Sequence, residues 1–470
     1  MDRMSPLDAS FLHVEDSGGQ MHIGSAAVFE GPPPGQDEIM AMVASKLPLV
    51  PRYRQTVRFV PMQLGRPLWV DDPHFNLAYH VRVTALPAPG GDAELRTLVG
   101  RVMSQQLDRA KPLWEMWVVQ GLENGHWALV CKTHHCMVDG VSGTDLLTVV
   151  LDREPEPDRP VTKPFIAESQ PGRARLLLET VVERLVSPYE QLRGLRSATR
   201  APRQAVAQLA EVIRGSVSLL GLAAPTPPST LNGPIGPHRR WTWARSTLAE
   251  VKAIRAGLGG TVNDVVLTAV TAGFRDLLLS RGESVDRVVR TLVPVSVRVR
   301  GAGGPAQGDS TYNNKVSAMF ARLPVGTADA RDRLGAIRAQ MDGLKESHQA
   351  VAGEALTSLS GFAPPMLLAL GTRLFARVPQ RNVNTVTTNV PGPQFTLYAA
   401  GRRMLEAFPY VPLAGSVRIG VAIFSYNGMI NFGVTGDYDT AWDIQVLCDG
   451  IEQGMAELRK LAEAAAPAAS

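Results

Sequence analysis

Apolar and polar positions along the chain follow two periods, and they alternate segment by segment. Met21–Gly31 (MHIGSAAVFEG) reads as a strand, and Asp37–Leu47 (DEIMAMVASKL) as a helix with apolar spacings of three and four. Ala78–Leu86 (AYHVRVTAL) is a second strand, and Glu94–Leu107 an amphipathic helix. Leu113–Leu122 and His126–His135 read as two strands around the turn Glu123-Asn124-Gly125. In Val288–Arg300, Thr291, Val293, Val295, Val297 and Val299 share one parity, which predicts a long strand. Val417–Asp439 predicts a hairpin on Asn427-Gly428, followed by a helix with Ile444, Leu447, Ile451, Met455 and Leu458 on one stripe.

Between these mixed halves the character changes. From about Pro155 to Pro237 the chain opens with REPEPDRP, closes with APTPPSTLNGPIGP, and carries a helical stretch with Arg173, Arg175, Arg184, Arg193, Arg196, Arg200 and Arg203. This reads as a linker whose arginines form a solvated face, with a lipid-facing role as the alternative. The expected division is residues 1–160, a linker over 161–235, and residues 236–470. A length of 470 residues agrees with two cores of roughly 200 residues each.

Composition then narrows the class. Hydrophobic residues make up 45% and charged residues 20%, as in ordinary globular proteins. A net charge of +4 with no dense basic run does not point to nucleic acid. Cys131, Cys136 and Cys448 are too scattered for a disulfide framework. The acidic start MDRMSPLDASFLHVED does not read as a signal peptide, and no apolar run reaches about 18 residues, so a cytoplasmic protein is expected.

The candidate chemistry lies in Leu129–Gly143, LVCKTHHCMVDGVSG. Neighbouring strand residues point to opposite faces. His134 would share a face with Ala128, Val130 and Lys132, and His135 with Trp127, Leu129, Cys131 and Thr133. Two such histidines cannot easily act on one atom or bind one metal, so one is expected to be chemical and the other structural. The strand runs into Asp139-Gly140 and a helix predicted over Val141–Asp152, a corner that can aim a side chain into a cleft. Neutral imidazole can take a proton from an alcohol or thiol. No Gly-x-Ser-x-Gly elbow offers a serine nucleophile.

HHCMVDG resembles the His-His-x-x-x-Asp-Gly motif of the CoA-dependent acyltransferase superfamily. SPLDASFL, PLWEMWVV, NGPIGPHRR, TVNDVVLTAV, LVPVSVR and TNVPGP extend the resemblance to the bacterial wax ester synthase/diacylglycerol acyltransferase family. The resemblance implies an α/β (α+β) fold of two chloramphenicol-acetyltransferase-like halves with mixed sheets and a tunnel between them. It implies a long-chain acyl transfer from acyl-CoA to diacylglycerol or a long-chain alcohol. His135 would be the general base, needing no metal and no cofactor beyond acyl-CoA as co-substrate. His134, Asp139 and Gly140 would be structural, with Arg298 the candidate partner of Asp139.

Asn263 would be a possible oxyanion donor with Asp264 beside it near the substrate, although either residue also reads as a helix N-cap. Pro112, Leu113 and Trp114 would line the acceptor side, although Trp114 also reads as core. TNVPGP reads as a turn without a catalytic role. A peripheral position on the inner membrane face or on lipid inclusions is expected from the apolar product. A condensation-type or other-alcohol acyltransferase, and a catalytically idle lipid-binding droplet protein, remain the alternatives. Acceptor preference, chain length and oligomeric state are left open.

Overall fold

A computed structural model describes residues 2–61, 64–137, 150–157, 165–172, 174–178, 180, 182, 228–296, 316–346 and 382–465. Asp139, Gly140, Arg298, most of the helix expected after the histidines and most of the arginine-rich segment lie outside them.

The first half holds β1 (Asp2–Arg3), α1 (Pro6–Val14), β2 (His22–Phe29), α2 (Gln36–Lys46), β3 (Gln55–Arg58), β4 (Leu68–Asp71), α3 (Leu77–His80), β5 (Val81–Ala85), α4 (Asp92–Ser104), β6 (Trp114–Gln120) and β7 (Trp127–His134). The second holds β8 (Arg239–Thr247), α5 (Leu248–Leu258), α6 (Val262–Ser280), β9 (Val289–Ser296), β10 (Val316–Leu323), α7 (Ala330–Glu346) and β11 (Thr385–Val390). It continues with β12 (Tyr398–Ala399), β13 (Arg402–Tyr410), β14 (Ile419–Tyr426), β15 (Met429–Asp437) and α8 (Ile444–Ala465). The strand expected over 78–86 starts later, because Asn76 caps the short α3 by accepting from Ala78 N–H.

Two six-stranded mixed sheets organise these elements, in the orders β12-β13-β2-β7-β6-β5 and β10-β9-β11-β14-β15-β8. A small sheet, β1-β4-β3, accompanies them. The β14–β15 hairpin turns where predicted. Asn427 and Gly428 have φ of 44° and 86°, the left-handed pair that a two-residue hairpin turn needs. The stripe Ile444, Leu447, Ile451, Met455 and Leu458 is fully buried in the core that α8 shares with α6 and the second sheet.

Two elements cross between the sheets. β12 and β13, although they follow residue 236, belong to the first sheet: β13 pairs antiparallel with β2, Ala407 opposite Ala27. The reason is packing. β13 buries Phe408 against Trp243 with ring centroids 4.3 Å apart, and Ala407 and Met404 in the first core. Conversely β8, the edge of the second sheet, turns Trp241 and Trp243 into the cluster formed by Val99, Val102 and the Ala128–Val130 face of β7. Its Ala244 faces the second core.

Candidate active site

β7 carries both histidines to its end. Its alternation holds as predicted: Trp127 and Leu129 pack in one core cluster, Ala128 and Val130 in another. The strand stops at His134. The His135 N–H donates to Met21 O at 2.8 Å, and the chain enters a single 3-10 turn, His135–Met137.

His134 points into a buried polar cluster. Its ring is fully enclosed, and its Nδ1 accepts the Cys136 N–H at 3.1 Å. Its Nε2 lies 3.5 Å from Glu15 Oε2. Across the β2–β7 pair, His22 sits opposite it, with Nε2 3.6 Å from Glu15 Oε1. Arg109 closes the carboxylate at 2.5 Å. Burial alone would raise the Glu15 pKa, but His134 and Arg109 outweigh it and hold it at about 2. Burial, with Lys132 nearby, brings His22 down to about 3. Lys132 is itself enclosed and donates to Val102 O at 3.0 Å and to Gln105 O, at the C-terminal end of α4. Burial lowers its pKa to about 8.

His135 has a different environment. Its ring lies against Phe11 of α1, centroids 4.0 Å apart at 34°. The residue is partly exposed, yet its Nδ1 is buried with no hydrogen-bond partner among the described residues. Burial lowers its pKa to about 4, against a smaller opposing pull from its own main-chain carbonyl. The ring is therefore neutral near pH 7.

The other residues singled out from sequence take clear positions. Pro112, Leu113 and Trp114 are buried. Leu113 O accepts the His134 N–H at 2.9 Å. The Trp114 ring is sandwiched between Tyr53 (4.7 Å) and His80 (4.6 Å), and its Nε1 donates to Tyr53 O at 2.8 Å. Both ring faces and the indole N–H are thus occupied by the core.

On α6 the N-cap is Thr261, which corrects the N-cap expected at Asn263 or Asp264. Thr261 Oγ1 accepts the Asp264 N–H at 3.2 Å, and Asp264 Oδ2 accepts the Thr261 N–H at 2.7 Å. The aspartate is buried as the third residue of that box, and its Oδ1 has no hydrogen-bond partner among the described residues. Asn263 is left out of the capping and faces β11, where its Oδ1 accepts from Asn389 Nδ2 at 3.3 Å. Val390, the next residue, packs against the first-half cluster that contains Leu129 and Trp114.

Glu15, His22, Arg109 and Asn389 were missed from sequence. His22 was open to discovery, since its strand aligns with that of His134. Glu15 and Arg109 belong to no motif, and only the fold brings them together. Asn389 lay inside a stretch that reads as a simple turn.

Comparison with known proteins places this geometry. Residues 4–266 match the model of the wax ester synthase/diacylglycerol acyltransferase catalytic domain, and residues 312–459 that of the WS/DGAT C-terminal domain. A probable diacylglycerol O-acyltransferase of Mycobacterium tuberculosis is 36% identical over 461 residues, 97% of this chain and 96% of that protein. The solved wax ester synthase/diacylglycerol acyltransferase of Marinobacter aquaeolei superposes with a TM-score of 0.66 at 26% identity, covering 98% of this chain and 100% of that one. The first condensation domain of the CDA synthetase shares the fold, with a TM-score of 0.60 at 15% identity, over 100% of this chain and 97% of that domain. The chain belongs to the wax ester synthase/diacylglycerol acyltransferase family.

Proposed function

We propose that the chain is an O-acyltransferase that moves a long-chain acyl group from acyl-CoA to diacylglycerol or a long-chain alcohol, giving triacylglycerol or wax ester. The observation that carries the site assignment is His135, a neutral, half-buried imidazole at a strand end whose Nδ1 is sequestered. Its Nε2 takes the proton of the acceptor hydroxyl as that oxygen bonds to the thioester carbonyl carbon. The C–S bond then breaks and the imidazolium returns the proton to the CoA sulfur. Asn263, whose Oδ1 is held by Asn389, would donate from Nδ2 to the oxyanion of the tetrahedral intermediate.

Burial of the acyl chain supplies affinity. At about 0.8 kcal/mol per methylene, a chain of about fourteen contributes on the order of 10 kcal/mol before costs. A product so apolar leaves poorly into water, which supports work at a membrane or lipid-inclusion surface. Among the described residues no helix is long and apolar enough to cross a membrane. Ile166 and Leu178 present exposed apolar side chains for such a surface.

The test is purified protein with labelled palmitoyl-CoA and either diacylglycerol or hexadecanol. Release of CoA with a neutral-lipid product is expected, reduced about 1,000-fold in His135→Ala. Esterification at full speed by that variant would refute the assignment.

A further inference from the structure

Glu15 reaches both flanks of His135 without touching it. Its Oε1 accepts from Met21 N–H at 3.3 Å, and Met21 O in turn accepts the His135 N–H at 2.8 Å. Its Oε2 faces His134 Nε2 at 3.5 Å, on the other flank. His134 Nδ1 accepts the Cys136 N–H, so that nitrogen carries no proton. The proton of the neutral ring then sits on Nε2, buried 3.5 Å from the carboxylate, close enough for charge attraction but outside a well-formed hydrogen bond. Glu15 is itself fixed. It ends α1 as the C-cap, its side chain is 2% exposed, and Arg109 donates to its Oε2 from Nε at 3.1 Å and Nη2 at 2.5 Å. One helical turn earlier, α1 carries Phe11, which packs on the His135 ring. A single buried carboxylate therefore joins α1, the strand start at Met21 and the turn His135–Met137.

We propose that Glu15 is a positioning residue: through His134 Nε2 it selects the tautomer whose bare Nδ1 holds the Cys136 N–H, and so fixes the turn that aims His135. This rests on His135 being the base. The histidine pair then has a division of labour, in which His134 transmits the hold of Glu15 and His135 acts on substrate. Misplacing a reacting group by about 1 Å costs about 100-fold in rate. A loosened turn should therefore lower kcat and leave acyl-CoA binding intact.

The experiment uses the full-length enzyme and its Glu15→Gln variant, which keeps the side-chain shape and removes the charge. Three quantities are read: kcat and KM for palmitoyl-CoA, the thermal midpoint, and the imidazole nitrogen spectrum of protein labelled with ¹⁵N-histidine. Signals are assigned to His134 by their loss in His134→Gln. In the wild type His134 should show one tautomer, with the proton on Nε2. In Glu15→Gln that tautomer should mix with the other, with kcat down about 100-fold and KM within about twofold. An unchanged kcat in a folded Glu15→Gln variant would overturn the proposal, as would a wild-type His134 protonated on Nδ1. If Glu15→Gln does not fold, the wild-type tautomer decides. Full activity of His135→Ala would instead refute the base assignment, whatever tautomer His134 shows.

Discussion

His134 and His135 are adjacent in sequence and opposite in environment. One ring is enclosed among charged and polar groups; the other lies against a phenylalanine. Strand parity predicts such a split for neighbouring side chains, although the strand ends at His134 and the turn beginning at His135 completes it. Which ring works was carried by the resemblance, and the partners of the quiet ring were not legible, since Glu15 and Arg109 lie 119 and 25 residues before His134 (134 − 15 and 134 − 109). The environment of His135 has a consequence for pH. Burial depresses its pKa from 6.5 to about 4, so the neutral, proton-accepting form persists as the medium is acidified and is lost only as pH falls through about 4. Initial rates of kcat/KM, measured after a jump from pH 7 to keep the fold intact, should stay level from pH 8 to about 5. An acid inflection near 6.5 would mean that the ring is solvated in the working enzyme.

At the scale of elements, hydrophobic periodicity was enough to place most strands and helices, because a half-buried strand or helix must repeat its apolar positions. The ends were harder to read. At the start of α6, Thr261, Asn263 and Asp264 are all plausible caps by residue type, and only the backbone decides that Thr261 and Asp264 close the box. That leaves Asn263 free to meet Asn389 from β11. The two neighbours should therefore respond differently to substitution. Thr261→Ala removes a cap and should cost about 1 kcal/mol of stability, with turnover unchanged. Asn263→Ala should leave the thermal midpoint nearly in place and lower kcat about 100-fold, the loss expected when an oxyanion donor is removed. Chemical denaturation and steady-state kinetics on the two variants separate these roles. A kcat loss in Thr261→Ala equal to that of Asn263→Ala would show that the helix end acts as one unit.

For the whole molecule, the sequence suggested two successive halves, and the structure joins them by an exchange. β13 leaves the second half to pair with β2, and on the way its backbone presses on β15. Gly433 makes that contact possible: a Cβ there would lie 1.8 Å from Pro409 O. Around it, Asn431 Nδ2 donates to Ala407 O at 3.0 Å and Trp241 Nε1 to Pro409 O at 3.1 Å, so strands of the second sheet hold β13 from outside the first. Nothing in the local pattern of residues 402–410 announces this, because the sheet that a strand joins is decided by partners far away in the chain, here β2. The joint implies that the halves unfold together. Gly433→Ala forces either β13 or β15 to shift and should cost about 1–3 kcal/mol, as other insertions into packed cores do. The loss should be shared: tryptophan fluorescence, which senses Trp114 and Trp127 in the first half and Trp241 and Trp243 at the joint, should show one transition at a lower midpoint. An unchanged midpoint would mean that the crossing yields freely. Two transitions, with the signal of the joint tryptophans lost before that of Trp114 and Trp127, would mean that β13 is held by the first sheet alone and that the halves are thermodynamically separate.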